Sequence, residues 1–524
     1  MAIFARAFSK KDTWITEQSV TSNFGASPIL EVWAKWNPYV KVKQRSRILI
    51  QFNLSALSAN IVNTKSCPDP RIDSNVTAYM YMRNAKHGQD QAENFNIDVF
   101  PLTASWQEGQ GVDNDKFSNT GFANAISASN TNPWNYDRGG TGGNVYIGWD
   151  SWPGGGGNPN VNYDSNSATQ YFETGQEDLK VDVTNYFKAY LNYATGTSIP
   201  DGGSADHGFL VRMGDKQEAV TGPEAVSAGV PASTSATNFF TKKFYSRETN
   251  TRKMPYIQLE WPGEIKDNRA AIKFSNTGNL FFYNLVDGEL TDLNGNSSFP
   301  GYVNLSANGV DLVTSSASGG ELTASRHSKG IYKLNIGSAT NRAGTVTTLT
   351  GINLALSSST SFVDSWVVTT LGQELTNNFS FDCVLPISGF QNFQSANYQI
   401  SLANLRDRYE KGSLQRIRVF LRDKSTEWAA VTGTTSAMKT AVVNNASVEI
   451  RELVTNDIEV PAMGLSFDKN GNFFDLDTNL LYEGMQYKLV IVINEKGETI
   501  HYDRPNDWQF QIGTVYDINR KSGY

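Results

Sequence analysis

"RILIQFNL", residues 47–54, decides the fold class. Ile48, Ile50 and Phe52 alternate with Arg47, Leu49 and Gln51, and a period of two puts successive side chains on opposite faces of a strand. The same alternation runs through "VTAYMYM" (76–82), "FNIDVFPL" (95–102) and "HGFLVRM" (207–213). Helical periodicity is scarce. Its clear instance is "DLKVDVTNYFKAYLNY" (178–193), where Val183, Phe187, Tyr190 and Leu191 share a face and Asp182 or Thr184 can cap the first turn. One short helix inside a run of strands predicts an all-β protein that opens with a jelly-roll sandwich.

The chain's 524 residues exceed what one hydrophobic core supports, so several domains are expected. An aromatic content of 12% with 44 glycines suits sheets joined by many turns and opposes disorder. Lys plus Arg number 45 against 52 Asp plus Glu, a net charge of −7, and no basic segment could track phosphates; nucleic acid is not an expected partner. Cys67 and Cys383 stand too far apart in sequence to suggest a disulfide framework. The opening "MAIFARAFSKKDTW" lacks a signal-peptide core, and no run approaches the roughly 18 apolar residues of a membrane span. The expectation is a protein made in a cytoplasm with no membrane partner.

A boundary is expected at "YIQLEWPGE" (256–264), where Pro262-Gly263 follows a strand. The strands "AAIKF", "NLFFYNL", "GYVNLSANGVDLV" and "GIYKLNI" come next, with turns at the short spacing of an immunoglobulin-like sandwich. "FVDSWVVTT" (362–370) reads as the last strand of that domain. A third region follows. In "QRIRVFLRD" (415–423), Ile417, Val419 and Leu421 oppose Arg416, Arg418 and Arg422, and "YKLVIVINEKGETIHY" (487–502) is a hairpin around Lys496-Gly497. The expected domains are 1–262, a jelly roll with a Gly- and aromatic-rich insertion at about 114–170, then 263–370 and 371–524, both β-sandwiches.

Five segments of the first region, in order, resemble the jelly-roll family called DNRLRE domains, which are related to polysaccharide-binding modules. They are "DTWITEQSVTSNFGASPILEVW" (12–33), "RSRILIQFNLSAL" (45–57), "VFPLTASWQEGQG" (99–111), "DLKVDVTNYFKAYLN" (178–192), and the closing "HGFLVR" with "KKFYSRETNTRKMPYIQLEW" (242–261). The rear half resembles virion structural proteins of tailed bacteriophages through "FVDSWVV", "ISLANLRDRYEKGSLQRIRVFLRDK", "NDIEVPAMG" and "LSFDKNGNFFDLDTNLLYEGMQYKLVIVI". Together these resemblances imply a non-enzymatic component of a phage particle (tail, neck, baseplate or capsid decoration). It would be made in the host cytoplasm, be present in multiple copies and contact other virion proteins. The alternative is a carbohydrate-binding host-attachment protein. The long insertion departs from the DNRLRE pattern and leaves open what the jelly roll contacts.

Candidate chemistry is thin. "SWQEGQGVDND" (105–115) sets Trp106 beside Glu108, Asp113 and Asp115, and a glycosidase needs two carboxylates flanking a sugar. The family resemblance implies a structural turn instead, with Trp106 over the sandwich edge and Glu108 accepting hydrogen bonds from the turn or a neighbouring strand. His87, His207, His327 and His501 sit in no nucleophile or base motif, and neither cysteine has a CxxC partner. "DKNGNFFDLD" (468–477) fails calcium-loop spacing, with Phe473 at position six and Asn479 at position twelve; Asn470-Gly471 reads as a type I′ hairpin turn. "GGTGGN" and "PGGGGN" lack the Lys and helix of a phosphate loop. In "FYSRET", strand alternation puts Arg247 and Glu248 on opposite faces, at least one held by a neighbouring strand. No catalytic, cofactor or metal residue is expected. The candidate contact residues are Trp134, Tyr136, Tyr146, Trp149, Trp152 and Tyr163, set among glycines and prolines. They could anchor a protein partner, cover a sandwich edge or stack on a glycan.

Overall fold

The computed structural model describes residues 4–37, 39, 42–59, 69–71, 74–88, 92–102, 105–112, 122–129, 132–133, 168–194, 206–218, 239–261, 263–270, 278–293, 299–307, 310–311, 321–335, 360–370, 373–383, 398–423, 443, 445–468, 470–495, 497–504 and 506–513. It is nearly all β. Among these residues no helix is long and apolar enough to cross a membrane. The chain divides into two compact units, Phe4–Trp261 and Pro262–Tyr524 with the first three residues.

The first unit is built from β1 (Phe4–Thr16), β2 (Ile29–Asn37), β3 (Val42–Phe52), α1 (Leu54–Ala59), β4 (Thr77–Met82), β5 (Phe95–Pro101), β6 (Ser127–Ser129), β7 (Asn132–Pro133), β8 (Ala168–Phe172), β9 (Leu179–Asp182), α2 (Thr184–Ala194), β10 (Phe209–Met213), α3 (Asp215–Glu218), β11 (Phe239–Tyr245) and β12 (Tyr256–Glu260). β1 belongs to two sheets. Phe4–Phe8 pair with β12, which leads through β4 to β9; Ser9–Thr16 pair with β3, in the order β8-β5-β10-β3-β1, and β3 also pairs with β2, which in turn carries β11. The change of partner coincides with a register shift between Ser9 and Lys11, the local kink that a bulge introduces.

β3 is central, so the alternation of "RILIQFNL" does not divide core from solvent: residues 47–52 are buried on both faces. Arg47 is accommodated by a fully buried ion pair, its Nη2 2.5 Å from Glu218 Oε2. The helical segment starts later than its periodicity suggests. Leu179–Asp182 form β9 against β4, and α2 begins at Thr184, whose N–H donates to Asp182 Oδ1 at 2.8 Å. α1 and α3 add two short helices to the one expected. Parts of the expected insertion at about 114–170 are described. Ala123, Ala125 and Ala128 pack in one cluster with Trp106, and β8 is a sheet strand paired with β5.

The second unit contains two sandwiches. In the first, strands 279–283, 331–335 and 325–328 face a sheet of 310–311, 301–307, 360–370 and 373–383. Leu280, Phe282, Phe299, Val303, Tyr332, Leu334, Phe362 and Trp366 fill the space between. Strands 360–370 and 373–383 pair along eleven residues, from Thr360↔Cys383 to Thr370↔Gln373. "FVDSWVVTT" is therefore followed by one more strand, and this sheet runs past residue 370 to Cys383. "AAIKF" lies outside the described residues beyond Ala270, which ends a 3-10 turn.

The second sandwich sets strands 398–403, 414–423, 471–477 and 466–468 against a sheet built on 486–495. Ile417, Val419 and Leu421 are buried, while Arg416 and Arg418 pair with Asp475 and Asp468 on the other face. The hairpin at Gly497 is present, with φ +84°. The other hairpin turns one residue earlier than expected. Asp468 pairs with Gly471, Asn470 keeps a negative φ, and the Asn470 N–H bonds Asp468 Oδ1 at 2.7 Å, so the aspartate side chain replaces the type I′ geometry.

Candidate functional site

Four side chains from distant parts of the first unit meet beside the β1 kink: Asp12, Glu108, Arg247 and Glu248. Asp12 follows the register shift and is 1% exposed. Its N–H donates to Glu108 Oε1 at 2.7 Å, and its Oδ2 accepts the Arg247 N–H at 2.9 Å. Arg247 Nη2 bridges Glu108 Oε2 at 2.9 Å and Glu248 Oε1 at 2.6 Å, while Nη1 donates to the Lys10 carbonyl at 2.7 Å. Glu108 is thus held from β1 and from the turn that follows β11.

Arg247 and Glu248 do not alternate across a strand. β11 ends at Tyr245, and the next residues turn, with Ser246 Oγ accepting the Glu248 N–H at 3.1 Å. Their side chains consequently meet on one side. Ser246 is itself buried and donates to the Ser27 carbonyl at 2.6 Å.

The segment carrying Glu108 is clamped by Asn23, which is fully buried. Asn23 Nδ2 donates to the carbonyls of Glu108 and Ala123 at 2.6 and 2.8 Å, and its Oδ1 accepts the N–H groups of Gly25 and Gly111 at 3.1 and 3.0 Å. This approach needs glycine: a Cβ on Gly111 would lie 1.7 Å from the Asn23 carbonyl oxygen, and Gly109 has φ +87°. Trp106 is 2% exposed, donates Nε1–H to the His207 carbonyl at 3.0 Å and carries Lys11 Nζ 4.3 Å above its ring. Its ring is a packing element.

Burial dominates the electrostatics. It pushes Asp12 well above the usual carboxylate range, with Glu248 and Glu108 adding to the rise and the Arg247 N–H opposing it. Burial also raises Glu108, against the Asp12 N–H and the Arg247 guanidinium. Two oxygens stand out: Asp12 Oδ1 and Glu248 Oε2 are inaccessible to solvent and accept no hydrogen bond among the described residues.

No family model matches the chain, and no curated protein matches it. Three solved structures are similar to parts of it at low identity. The N-terminal Ig1-2 module of the Drosophila receptor protein tyrosine phosphatase DLAR is 9% identical, covering 48% of this chain and 95% of its own, with a TM-score of 0.13. The amphioxus IgVJ-C2 molecule is 7% identical, with 43% and 94% covered and a TM-score of 0.12. The Yersinia pseudotuberculosis adhesin InvE is 13% identical, with 48% and 57% covered and a TM-score of 0.14. Likenesses of this size carry no argument; the paired sheets themselves establish the β-sandwich architecture.

The six aromatic contact candidates, with Asp113 and Asp115, lie outside the described residues. Of the groups singled out in sequence, the structure brings together Glu108, Arg247 and Glu248. It adds Asp12 and Asn23; away from this cluster, Lys242 is a further buried polar group that the sequence reading did not single out. Lys242 is fully buried, donating Nζ–H to Asn84 Oδ1, the Gly175 carbonyl and the Glu177 carbonyl at 2.7, 2.6 and 2.8 Å. Its parity with Phe244 was the available signal, since strand alternation puts both on one face. Asp12 gave a weaker one, as an acidic residue within β1 shortly before Trp14 and Ile15.

Proposed function

We propose that the chain is a non-enzymatic structural component of a tailed bacteriophage particle, with its β domains making contacts to other virion proteins. The observation that supports a structural role most directly is the use of the acidic and aromatic groups of "SWQEGQG". Trp106 packs inward, both Glu108 oxygens are bonded to Asp12 and Arg247, and Asp12 is closed off from solvent. A glycosidase needs its carboxylates at an accessible sugar subsite, whereas these join β1 to the segments after β5 and β11. The phage assignment rests on the residues of the rear half that resemble virion proteins.

The test uses Trp134, Trp149 and Trp152. Replacing all three by Ala is expected to leave the free protein folded and to prevent incorporation into particles. Two buried anchors at about 2 kcal/mol each correspond to roughly a thousandfold in affinity. Normal assembly with reduced adsorption to host cells would instead support the carbohydrate-binding alternative. A variant that does not fold would assign the rings to local packing.

A further inference from the structure

We propose that Asp12, Glu108 and Glu248 hold one divalent cation with the chemistry of calcium. Each offers a carboxylate oxygen, and the three oxygens lie within 4.8 Å of one another. The independent observation is the pair of orphan acceptors. Asp12, 1% exposed, has an Oδ1 with no hydrogen-bond donor among the described residues, and Glu248 Oε2 is equally shut away and unbonded. The other oxygens of the cluster are engaged: Asp12 Oδ2 by the Arg247 N–H, Glu108 Oε1 by the Asp12 N–H, and Glu108 Oε2 and Glu248 Oε1 by Arg247 Nη2. Buried carboxylate oxygens are normally paired or bound to metal.

The charge and the donor set point the same way. With all three carboxylates ionised, the Arg247 guanidinium leaves two negative charges, which one divalent ion balances. Lys11, the other nearby cation, directs its Nζ to the Trp106 carbonyl at 2.5 Å. With neither His nor Cys in the cluster, the set is all oxygen, which selects a hard cation over zinc or copper. Calcium sits about 2.3–2.6 Å from its ligands and so bridges oxygens up to roughly 5 Å apart. Glu108 and Glu248 side chains are 18% and 23% exposed, which leaves a side for water ligands and for entry. Engaged oxygens of Glu108 retain a second lone pair, so the ion can bind without displacing Arg247. Spacing along the sequence gave no sign of this site because its other ligands are 96 and 236 residues from Asp12.

The experiment titrates Ca²⁺ into chelator-treated full-length protein, reading calorimetric heat and thermal midpoint, and repeats it with Asp12→Asn and Glu248→Gln. The expected result is one ion per chain and a midpoint that climbs with Ca²⁺ concentration, with affinity reduced at least tenfold in both variants. No heat and no midpoint change up to about 10 mM Ca²⁺, above the range of the weakest calcium modules, would overturn the proposal. So would binding that is unaltered in both variants, which is an adventitious ion only. A midpoint that answers to pH and not to Ca²⁺ would also overturn it, assigning the orphan oxygens to a shared proton. Because the free protein is measured, the outcome is independent of whether the chain assembles into particles.

Discussion

A single buried lysine shows what charge costs in this fold. Burial draws Lys242 down to about 8 from 10.5, with Asp178 and Glu177 opposing. Phe172 and Phe244 place ring centroids 5.1 and 5.0 Å from its Nζ, partly compensating the lost hydration. Between those two values the unfolded chain binds more protons than the folded one, so this residue's contribution to stability is present above pH 10.5 and is lost as pH falls through about 8. Lys242→Met removes the titration. The wild type should therefore gain on the variant by up to about 3 kcal/mol as pH rises across that window, at 1.36 kcal/mol per unit. Urea melts of both proteins at several pH values measure the difference. A difference independent of pH would mean that Lys242 keeps an ordinary ammonium.

At the scale of elements, the segment 105–112 is held by hydrogen bonds, and one side chain supplies two of them while its other two reach Gly25 and Ala123. Asn23→Ala would strip partners from the Glu108 and Ala123 carbonyls and the Gly25 and Gly111 N–H groups, all in an interior from which water is largely excluded. With each unmet group costing on the order of 1 kcal/mol, the variant should lose about 3 kcal/mol or more in chemical denaturation. A loss below about 1 kcal/mol would show that the segment is positioned by Trp106 packing alone. The sandwich of residues 279–383 makes the complementary point. A polar link borders its apolar core: Arg269 pairs with Asp267 and Asp364, and Asp364 Oδ2 accepts Trp366 Nε1–H at 2.7 Å.

For the whole molecule, the two compact units have separate cores. Calorimetry of the full chain should resolve at least two transitions, as expected when domains unfold independently. Leu334→Ala removes a fully buried side chain of the second unit, a change typically worth 2–5 kcal/mol. It should lower one transition and leave the unfolding of Phe4–Trp261 in place. A single transition that moves as one with Leu334→Ala would refute independent units.

The sequence by itself determined the all-β class, the presence of a helix after "DLKVD" and the hairpin at Gly497, because each depends on neighbours within a few residues. Period two and the φ freedom of glycine are local properties and can be read locally. The extra strand 373–383 was harder to read because residues 375–380 are all exposed, and an edge strand need not alternate apolar with polar side chains. The turn at Ser246, which defeated strand parity for Arg247 and Glu248, is fixed by hydrogen bonds to Pro28 and Ser27 more than 200 residues away. The meeting of Asp12, Glu108 and Glu248 required tertiary structure altogether. A kink in β1 exchanges one sheet for the other at that point, and no spacing along the chain encodes which carboxylates then face one another.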